Sequence, residues 1–207
     1  FGNGPQALYG ASDVTLVYQP EPGGRWLHVA GRPLFIDHER LPWAAGWVNT
    51  ASNVIEVGDE QRLYFSVRSS PHGFGKDEQW RAIPAADNAQ ETSCITFARW
   101  PKWRLFGFES LPEGTLEIRL ADIEQPSELL LNYEIIRPNG QIRASLTGEN
   151  GLVRDIADSI PLTGNSIAEK ITWKNGAVIP AVPNAKLTLH LQNVRVYAYG
   201  VKPAAER

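Results

Sequence analysis

The cluster Asp37-His38-Glu39 places three titratable side chains next to one another. A histidine changes its charge near neutral pH, and a histidine flanked by carboxylates can act as a general acid or base. Asp37 and Glu39 are therefore candidate catalytic acids, and His38 is a candidate ligand contact. A solvated loop of mixed charge has the same composition and needs no function, so both interpretations stay open at this point.

Two tryptophans, Trp43 and Trp47, follow this cluster and flank the segment Ala44-Ala45-Gly46. Exposed indole rings stack well on the apolar faces of sugar rings. Trp43 and Trp47 are therefore candidate substrate-binding residues, and the substrate class that they favour is a carbohydrate.

The chain shows no spacing that is typical of a metal or cofactor site. Its four histidines lie far apart, and none pairs with a cysteine or an acid at ligand intervals. Neither a phosphate-cradling glycine loop nor a nucleophile elbow occurs in the sequence. We therefore expect neither a metal nor another cofactor.

Charge and hydropathy restrict the partners. The formal net charge of -3 supplies no electrostatic attraction for nucleic acid or for an anionic membrane surface. No apolar run approaches the roughly 20 residues that cross a bilayer, and no leader of the signal-peptide type is present. We therefore expect no nucleic-acid partner and no membrane anchor, and the sequence leaves the localisation open.

The first hundred residues alternate apolar and polar side chains over short runs between tight turns, a pattern that predicts β-strands. The predicted strands are residues 16–18, 26–29, 48–57 and 62–68, and the segment Gly58-Asp59-Glu60 predicts the last turn. These strands predict one four-stranded sheet. The succession of strand, tight turn and strand is typical of a β-propeller blade.

The second half contains strand-length segments at intervals of roughly ten residues, as β-sandwiches do. The predicted strands are residues 114–120, 128–136, 142–147, 168–173, 186–192 and 194–200. Alternation places Leu187, Leu189 and Leu191 on one face and Thr188, His190 and Gln192 on the other. The predicted fold is thus all-β, with a blade-like sheet over residues 1–100 and an antiparallel β-sandwich over residues 101–207.

Two single residues, one turn and the open edges of the first sheet add four expectations. Cys94 lies in an apolar run and is predicted to be a buried, inert thiol, and Trp173 is predicted to lie in the core. The segment Pro138-Asn139-Gly140 predicts a tight turn. An isolated blade has two open edges and is marginally stable, so the first hundred residues are expected to pack against another part of a protein.

The order of motifs in the first half resembles the last blade of five-bladed β-propeller glycoside hydrolases. In that family the order is S-R-D-G-x-x-W, R-x-P-F-I, W-D-S-G-M, V-G-D-E-x-x-F-Y-Y and a final His. The matching residues are Gly24, Trp26, Arg32, Pro33, Phe35, Ile36, Trp43, Gly46, Val57, Gly58, Asp59, Glu60, Tyr64, Phe65 and His72. Order and spacing together carry the resemblance.

The second half extends this resemblance over nearly the whole chain. The family's segments there include E-G-x-L-x-T, L-x-L-N, G-x-I-R-V-x-L, D-P-I-x-G-D-S and V-x-W. The matches include Glu113 to Leu116, Leu129 to Asn132, Gly140, Ile142, Arg143, Leu146, Ile160 to Ser166 and Thr172 to Lys174. The resemblance covers the C-terminal part of such a protein. Because the chain begins at Phe1 and contains no Met, we expect the earlier blades upstream or in a separate chain.

The resemblance implies a carbohydrate-active protein with an incomplete catalytic site. Glycoside hydrolysis needs two carboxyl groups, and a propeller draws them from inner strands of different blades. Ala44 replaces the Asp of the W-D-S-G-M motif, whereas His72 matches the family's His and is a candidate ligand contact or a hydrogen-bonded structural residue. We expect the chain to complete the fold and to contribute to a sugar-binding funnel without supplying both acids.

Joined to the missing blades, such a chain would belong to a glycoside hydrolase-like protein, whereas the isolated chain is expected to be inactive. Two alternatives stay open. The first is a non-catalytic carbohydrate-binding module. The second is a structural or oligomerisation fragment without a ligand.

Replacing Asp37 with Asn and Glu39 with Gln should weaken the binding of a glycan by only about 1 kcal/mol, the size of a lost hydrogen bond. Replacing Trp43 with Ala should weaken it more, because a stacking surface is lost. Calorimetry and a hydrolysis assay on the same sample measure both effects. Turnover that disappears with either acid would place the active site on this blade, contrary to expectation.

Overall fold

The computed structural model describes residues 12–21, 23–37, 40–41, 46–69, 93–149 and 151–205. The chain divides into two compact units between Arg99 and Trp100. Strands make up both units, and the predicted all-β class is confirmed. Helical structure among the elements with described bounds is a single 3-10 turn, Ile156–Asp158.

The described residues of the first part of the chain form seven strands. They are β1 (Val14–Thr15), β2 (Val17–Tyr18), β3 (Leu27–His28), β4 (Leu34–Ile36), β5 (Trp47–Val57), β6 (Glu60–Arg68) and β7 (Ser93–Pro101). Strand β1 pairs antiparallel with β4, and β2 pairs antiparallel with β3. Strands β5, β6 and β7 form a three-stranded sheet in that order.

The single four-stranded sheet predicted for this region is divided. Strands β2 and β3 form a separate two-stranded sheet, and the third strand of the β5–β6 sheet is β7. The backbone adopts positive φ at Gly23, Gly31 and Arg32, so the extended conformation stops on both sides of β3. Two residues of extended chain are too few to continue a ladder onto β5.

The long hairpin of β5 and β6 follows the prediction closely. Val57 pairs with Glu60, and Gly58 takes φ +60° in the two-residue turn between them. Glycine has no Cβ and adopts this conformation at no steric cost. The hairpin buries Val48, Phe65 and Val67 against Ile36, and these residues form the small core of this unit.

Cys94 was predicted to be buried, and this prediction is wrong: the thiol is exposed. Its strand, β7, occupies the end of the strand order in the three-stranded sheet. Its apolar neighbours are exposed too, since Ile95 is 78% and Phe97 is 40% accessible. An apolar run therefore identified the strand correctly, but it did not determine whether another element covers it.

Seven further strands form one sheet in the second unit. They are β8 (Phe108–Arg119), β9 (Ser127–Ile135), β10 (Gln141–Gly148), β11 (Gly151–Arg154), β12 (Asn165–Lys170), β13 (Val178–Ile179) and β14 (Lys186–Pro203). The pairs in this sheet are antiparallel. The antiparallel sandwich predicted here thus takes the form of one curled sheet.

The eighteen-residue strand β14 joins the two halves of this sheet. Its first half, up to Gln192, pairs with β10 on one edge and β8 on the other. From Val194 onward it pairs with β9, which takes the place of β10. The sequence predicted two separate strands here. One strand runs through instead, with Asn193 at φ +50° and a register shift at the junction.

The curl encloses one hydrophobic core. Leu187 and Leu189 on β14 are fully buried, and Leu191 is nearly so, as their alternation predicts. Trp173 is 1% exposed, which confirms its predicted place in the core. Its indole Nε1 donates a hydrogen bond of 2.9 Å to the carbonyl oxygen of Ala144, so the ring's polar atom is paired inside the core.

The predicted turn between β9 and β10 is confirmed. The amide of Gly140 donates a 3.2 Å hydrogen bond to the carbonyl of Arg137, and Asn139 takes φ +62°. Gly140 is required for space. A Cβ at residue 140 would lie 2.5 Å from Cγ2 of Ile135 and 2.8 Å from the backbone oxygen of Asn193.

Replacing Gly140 with Ala should lower the free energy of unfolding by about 2 kcal/mol, because the backbone at Asn193 must shift to admit the methyl group. The matched control is Gly200→Ala on β14. A Cβ there would lie 3.9 Å from Cβ of Leu130, so this change should be neutral or slightly stabilising. Urea unfolding measures both variants, and equal midpoints would contradict this account.

Candidate functional site

A shallow polar groove of about 400 Å³ lies on the outer face of the curled sheet, across β8, β14 and β10. Its lining residues come from these three neighbouring strands: Glu113, Gly114, Thr115, Gln141, Arg143, His190, Leu191 and Gln192. All these residues lie in the second unit.

The register of the strands arranges the outward side chains in two rows. His190 pairs with Thr115 on one side and with Arg143 on the other. Two residues along β14, Gln192 pairs with Glu113 and Gln141 in the same way. Side chains at alternate positions of a strand share a face, so all six point away from the core.

Local hydrogen bonds hold part of the groove in place. Gln141 Nε2 donates to Gln192 Oε1 at 3.0 Å. Arg143 Nη1 donates to the carbonyl oxygen of Ser159 at 3.1 Å. Ser159 is itself buried, and its Oγ accepts a 2.9 Å hydrogen bond from the amide of Ala144. A buried residue therefore fixes the guanidinium of Arg143.

Three other polar side chains of the groove have no partner in the part of the chain that the structure describes. Among the described residues, no side-chain hydrogen bond or ion pair engages Glu113, Thr115 or His190. The groove therefore offers a carboxylate, a hydroxyl and an imidazole whose hydrogen-bonding capacity is available to a ligand.

The sequence-predicted site residues belong to the first unit. Asp37 is largely buried and its carboxylate lies 3.3 Å from Nε of Arg40. Trp47 begins β5, is half-buried and pairs in register with Arg68. The other four predicted residues lie outside the described residues, and their roles stay predictions: His38, Glu39, Trp43 and His72.

Sequence reasoning did not identify the groove. It assigned Thr188, His190 and Gln192 to the face opposite the core, and the exposure of His190 agrees with that assignment. Alternation in the sequence thus indicated the outward side chains of β14 alone. The groove depends on the register of β14 with β8 and β10, which pairs groove residues up to 79 positions apart, Gln192 with Glu113, and is not visible in one segment.

A pair of carboxylates does occur on the other half of the sheet. Glu109 and Glu134 pair in register with Arg195 from opposite sides. Arg195 Nε donates to Glu109 at 3.0 Å, and Arg195 Nη1 lies 3.9 Å from Glu134. Tyr197 also donates a 2.6 Å hydrogen bond to Glu134. Both carboxylates serve a cross-strand ion-pair network, so neither is placed as a free proton donor.

The described residues include no group of three or more metal-binding side chains that lie together. Within the same residues, no helix is long and apolar enough to cross a membrane.

No known protein family, no curated protein sequence and no solved structure matches this chain. A functional assignment therefore rests on the geometry of the chain and on the order of its motifs.

Two tyrosines make the stability of the second unit sensitive to alkaline pH. Burial raises the pKa of Tyr133 above its usual value, and the charge of Glu169 raises it further. Burial also raises the pKa of Tyr197, and so does its hydrogen bond to Glu134. The folded state thus holds both protons more tightly than the unfolded chain does.

We expect the free energy of unfolding to keep this contribution below about pH 10, the ordinary pKa of tyrosine, and to lose it as the pH rises through the higher folded values. In Tyr197→Phe, the free energy of unfolding should fall less steeply at alkaline pH. The control Tyr199→Phe changes an exposed position on the same strand and should keep the slope of the unmodified protein. Urea unfolding between pH 7 and 11.5 measures the slope, and identical slopes for the two variants would refute the assignment.

Proposed function

We propose that this chain is the C-terminal part of a carbohydrate-active protein that resembles a five-bladed propeller glycoside hydrolase. In this role it completes the fold and binds glycan without supplying both catalytic acids. The observation that carries the proposal is the polar groove across β8, β14 and β10.

The chemistry of the groove suits a sugar. Each sugar hydroxyl can donate and accept a hydrogen bond, and the groove offers both kinds of partner. Gln141 and Gln192 supply amide groups, Arg143 supplies donors, and Glu113 supplies acceptors. Its volume of about 400 Å³ falls within the range of small-ligand sites.

The same groove lacks the equipment for hydrolysis. A glycosidase needs two carboxyl groups across one sugar, one of them able to donate a proton. Glu113 is the single carboxylate among the described residues that line the groove. In the blade-like region, Ala44 stands where the resembling motif carries its Asp. Binding without cleavage is therefore the function that these residues support.

The blade-like sheet supports a partner formed by earlier blades. Alternation turns Ile55 on β5 and Phe97 on β7 to the same face as Tyr64, away from the small core. Tyr64 and Phe97 stack with their ring centroids 5.3 Å apart, and Ile55 is 44% exposed. The same face carries Arg62, whose guanidinium lies 4.9 Å from the Phe97 ring centroid, and Glu60, which pairs with Arg62 and Arg99. Aromatic and arginine side chains are enriched in protein interfaces, so this face suits contact with neighbouring blades.

The exposed sheet face also favours the second candidate function, a structural or oligomerisation fragment with no ligand. A structural fragment would contact its partner through the exposed face of the β5–β6–β7 sheet and would not use the groove. The two candidates therefore differ in the residues that matter, and substitutions in the groove distinguish them.

The test is calorimetric titration of the 207-residue chain with glycans selected on an array, together with a sugar-release assay on the same sample. Gln192→Ala should weaken binding by about 1 kcal/mol, or roughly fivefold, through the loss of a hydrogen bond. The control Ser145→Ala lies on the same strand face as Arg143 but outside the groove lining, and it should leave the affinity unchanged.

Sugar release by the isolated chain would refute the non-catalytic part of the proposal. The absence of binding to every glycan, combined with self-association through the β5–β6–β7 sheet, would favour the structural alternative. Binding that Gln192→Ala does not affect would move the glycan site elsewhere.

A further inference from the structure

The most distinctive feature of the groove is the juxtaposition of Arg143 and His190. The two residues face each other in register on the adjacent strands β10 and β14. Side chains paired directly across antiparallel strands have Cβ atoms about 5 Å apart. A guanidinium and an imidazole thus share one end of the groove.

Arg143 brings a positive charge that no carboxylate of the described chain neutralises. Some other cations on this sheet have acidic partners, whereas Arg119 and Arg154 form no ion pair among the described residues. Lys186 lies 3.0 Å from Glu117 on the same outer face, and Arg195 pairs with Glu109. A half-buried charge without a counter-ion is unfavourable, and an anion from outside the protein would stabilise it.

The guanidinium is also held in position for an oxyanion that can accept two hydrogen bonds from it. Its Nη1 is engaged by the carbonyl oxygen of Ser159, which fixes the plane of the group. The remaining N–H groups are available to a carboxylate or sulfate in the paired geometry that arginine favours. His190 can donate a further hydrogen bond to the same anion, because its ring has no partner within the described residues.

The other end of the groove sets a limit on the number of negative charges. Glu113 pairs in register with Gln192, two residues along β14 from His190. Its carboxylate has no cationic partner among the residues that the structure describes, so it repels a second anion and favours hydroxyl donors. The groove thus fits a ligand with one anionic group at one end and neutral hydroxyls at the other.

We propose that this groove selects an acidic glycan, with a sugar carboxylate or sulfate between Arg143 and His190 and neutral hydroxyls toward Gln141, Gln192 and Glu113. This inference rests on the proposed glycan-binding function and specifies its ligand class. Nucleic acid and other dense polyanions do not fit, because Glu113 and the net charge of -3 oppose them.

The experiment uses an array that presents the same oligosaccharides in neutral, uronate and sulfated forms, followed by calorimetry on the best matched set. The acidic form should bind about tenfold or more tightly than its neutral counterpart at 50 mM salt, the size of one charge-assisted hydrogen bond. The ratio of these two affinities should be smaller at 500 mM salt, because salt screens the attraction between Arg143 and the anion. The uronate and sulfate arms identify which anion is preferred.

Three variants test whether Arg143 determines the preference for the acidic form. Arg143→Gln should remove the preference for the acidic form. Because the donors of Arg143 also serve neutral sugars, the neutral form should lose some affinity too, but less than the acidic form loses. Arg143→Lys retains the charge without the planar fork and should give an intermediate preference. Arg119→Gln removes an exposed positive charge elsewhere on the same outer face, where Arg119 pairs with Lys186, and should leave the preference unchanged.

The outcomes separate this inference from the function on which it rests. Equal or tighter binding of the neutral forms overturns the acidic preference and leaves glycan binding intact. Failure to bind any form overturns both. An equal loss in Arg119→Gln and Arg143→Gln would show a diffuse charge effect and contradict the site. Thermal unfolding of each variant verifies that it is folded, and Arg143→Lys keeps the test valid if Arg143→Gln is unstable.

Discussion

The second unit depends on one strand that is hydrogen-bonded on both edges. Strand β14 pairs with β8 on one side and with β10 and then β9 on the other. The change of partner at Asn193 bends the sheet, and the bend lets both halves bury their inner side chains in one core. The close packing of Gly140 against the backbone of Asn193 holds the chain at this bend.

The groove is a consequence of the same pairing. Because side chains alternate, the register that buries Leu189 and Leu191 also turns His190 and Gln192 outward, next to the outward residues of β8 and β10. Core and site are therefore coupled: a one-residue slip of β14 would expose the leucines and bury the polar side chains. This coupling explains how a rigid sheet can hold hydrogen-bonding groups in place without a loop.

The two units differ in the size of their cores and in the residues that they expose. The second unit has a large core, and several of its outer charges form ion pairs, whereas Arg143 and Glu113 form none among the described residues. In the described part of the first unit, the core consists of four buried residues, and Ile95 and Phe97 on β7 are exposed. A small sheet with so small a core is marginally stable by itself.

The sequence by itself determined what local geometry controls. It predicted the all-β class, the turns at Gly58 and Pro138-Asn139-Gly140, and the inward face of β14, because alternation and turn chemistry act within a few residues. Only the tertiary structure decided that β14 is one strand, that Cys94 is exposed and that Arg143 lies opposite His190. These features depend on strand register and on which elements cover one another, and both are set by packing between residues that are distant in the chain.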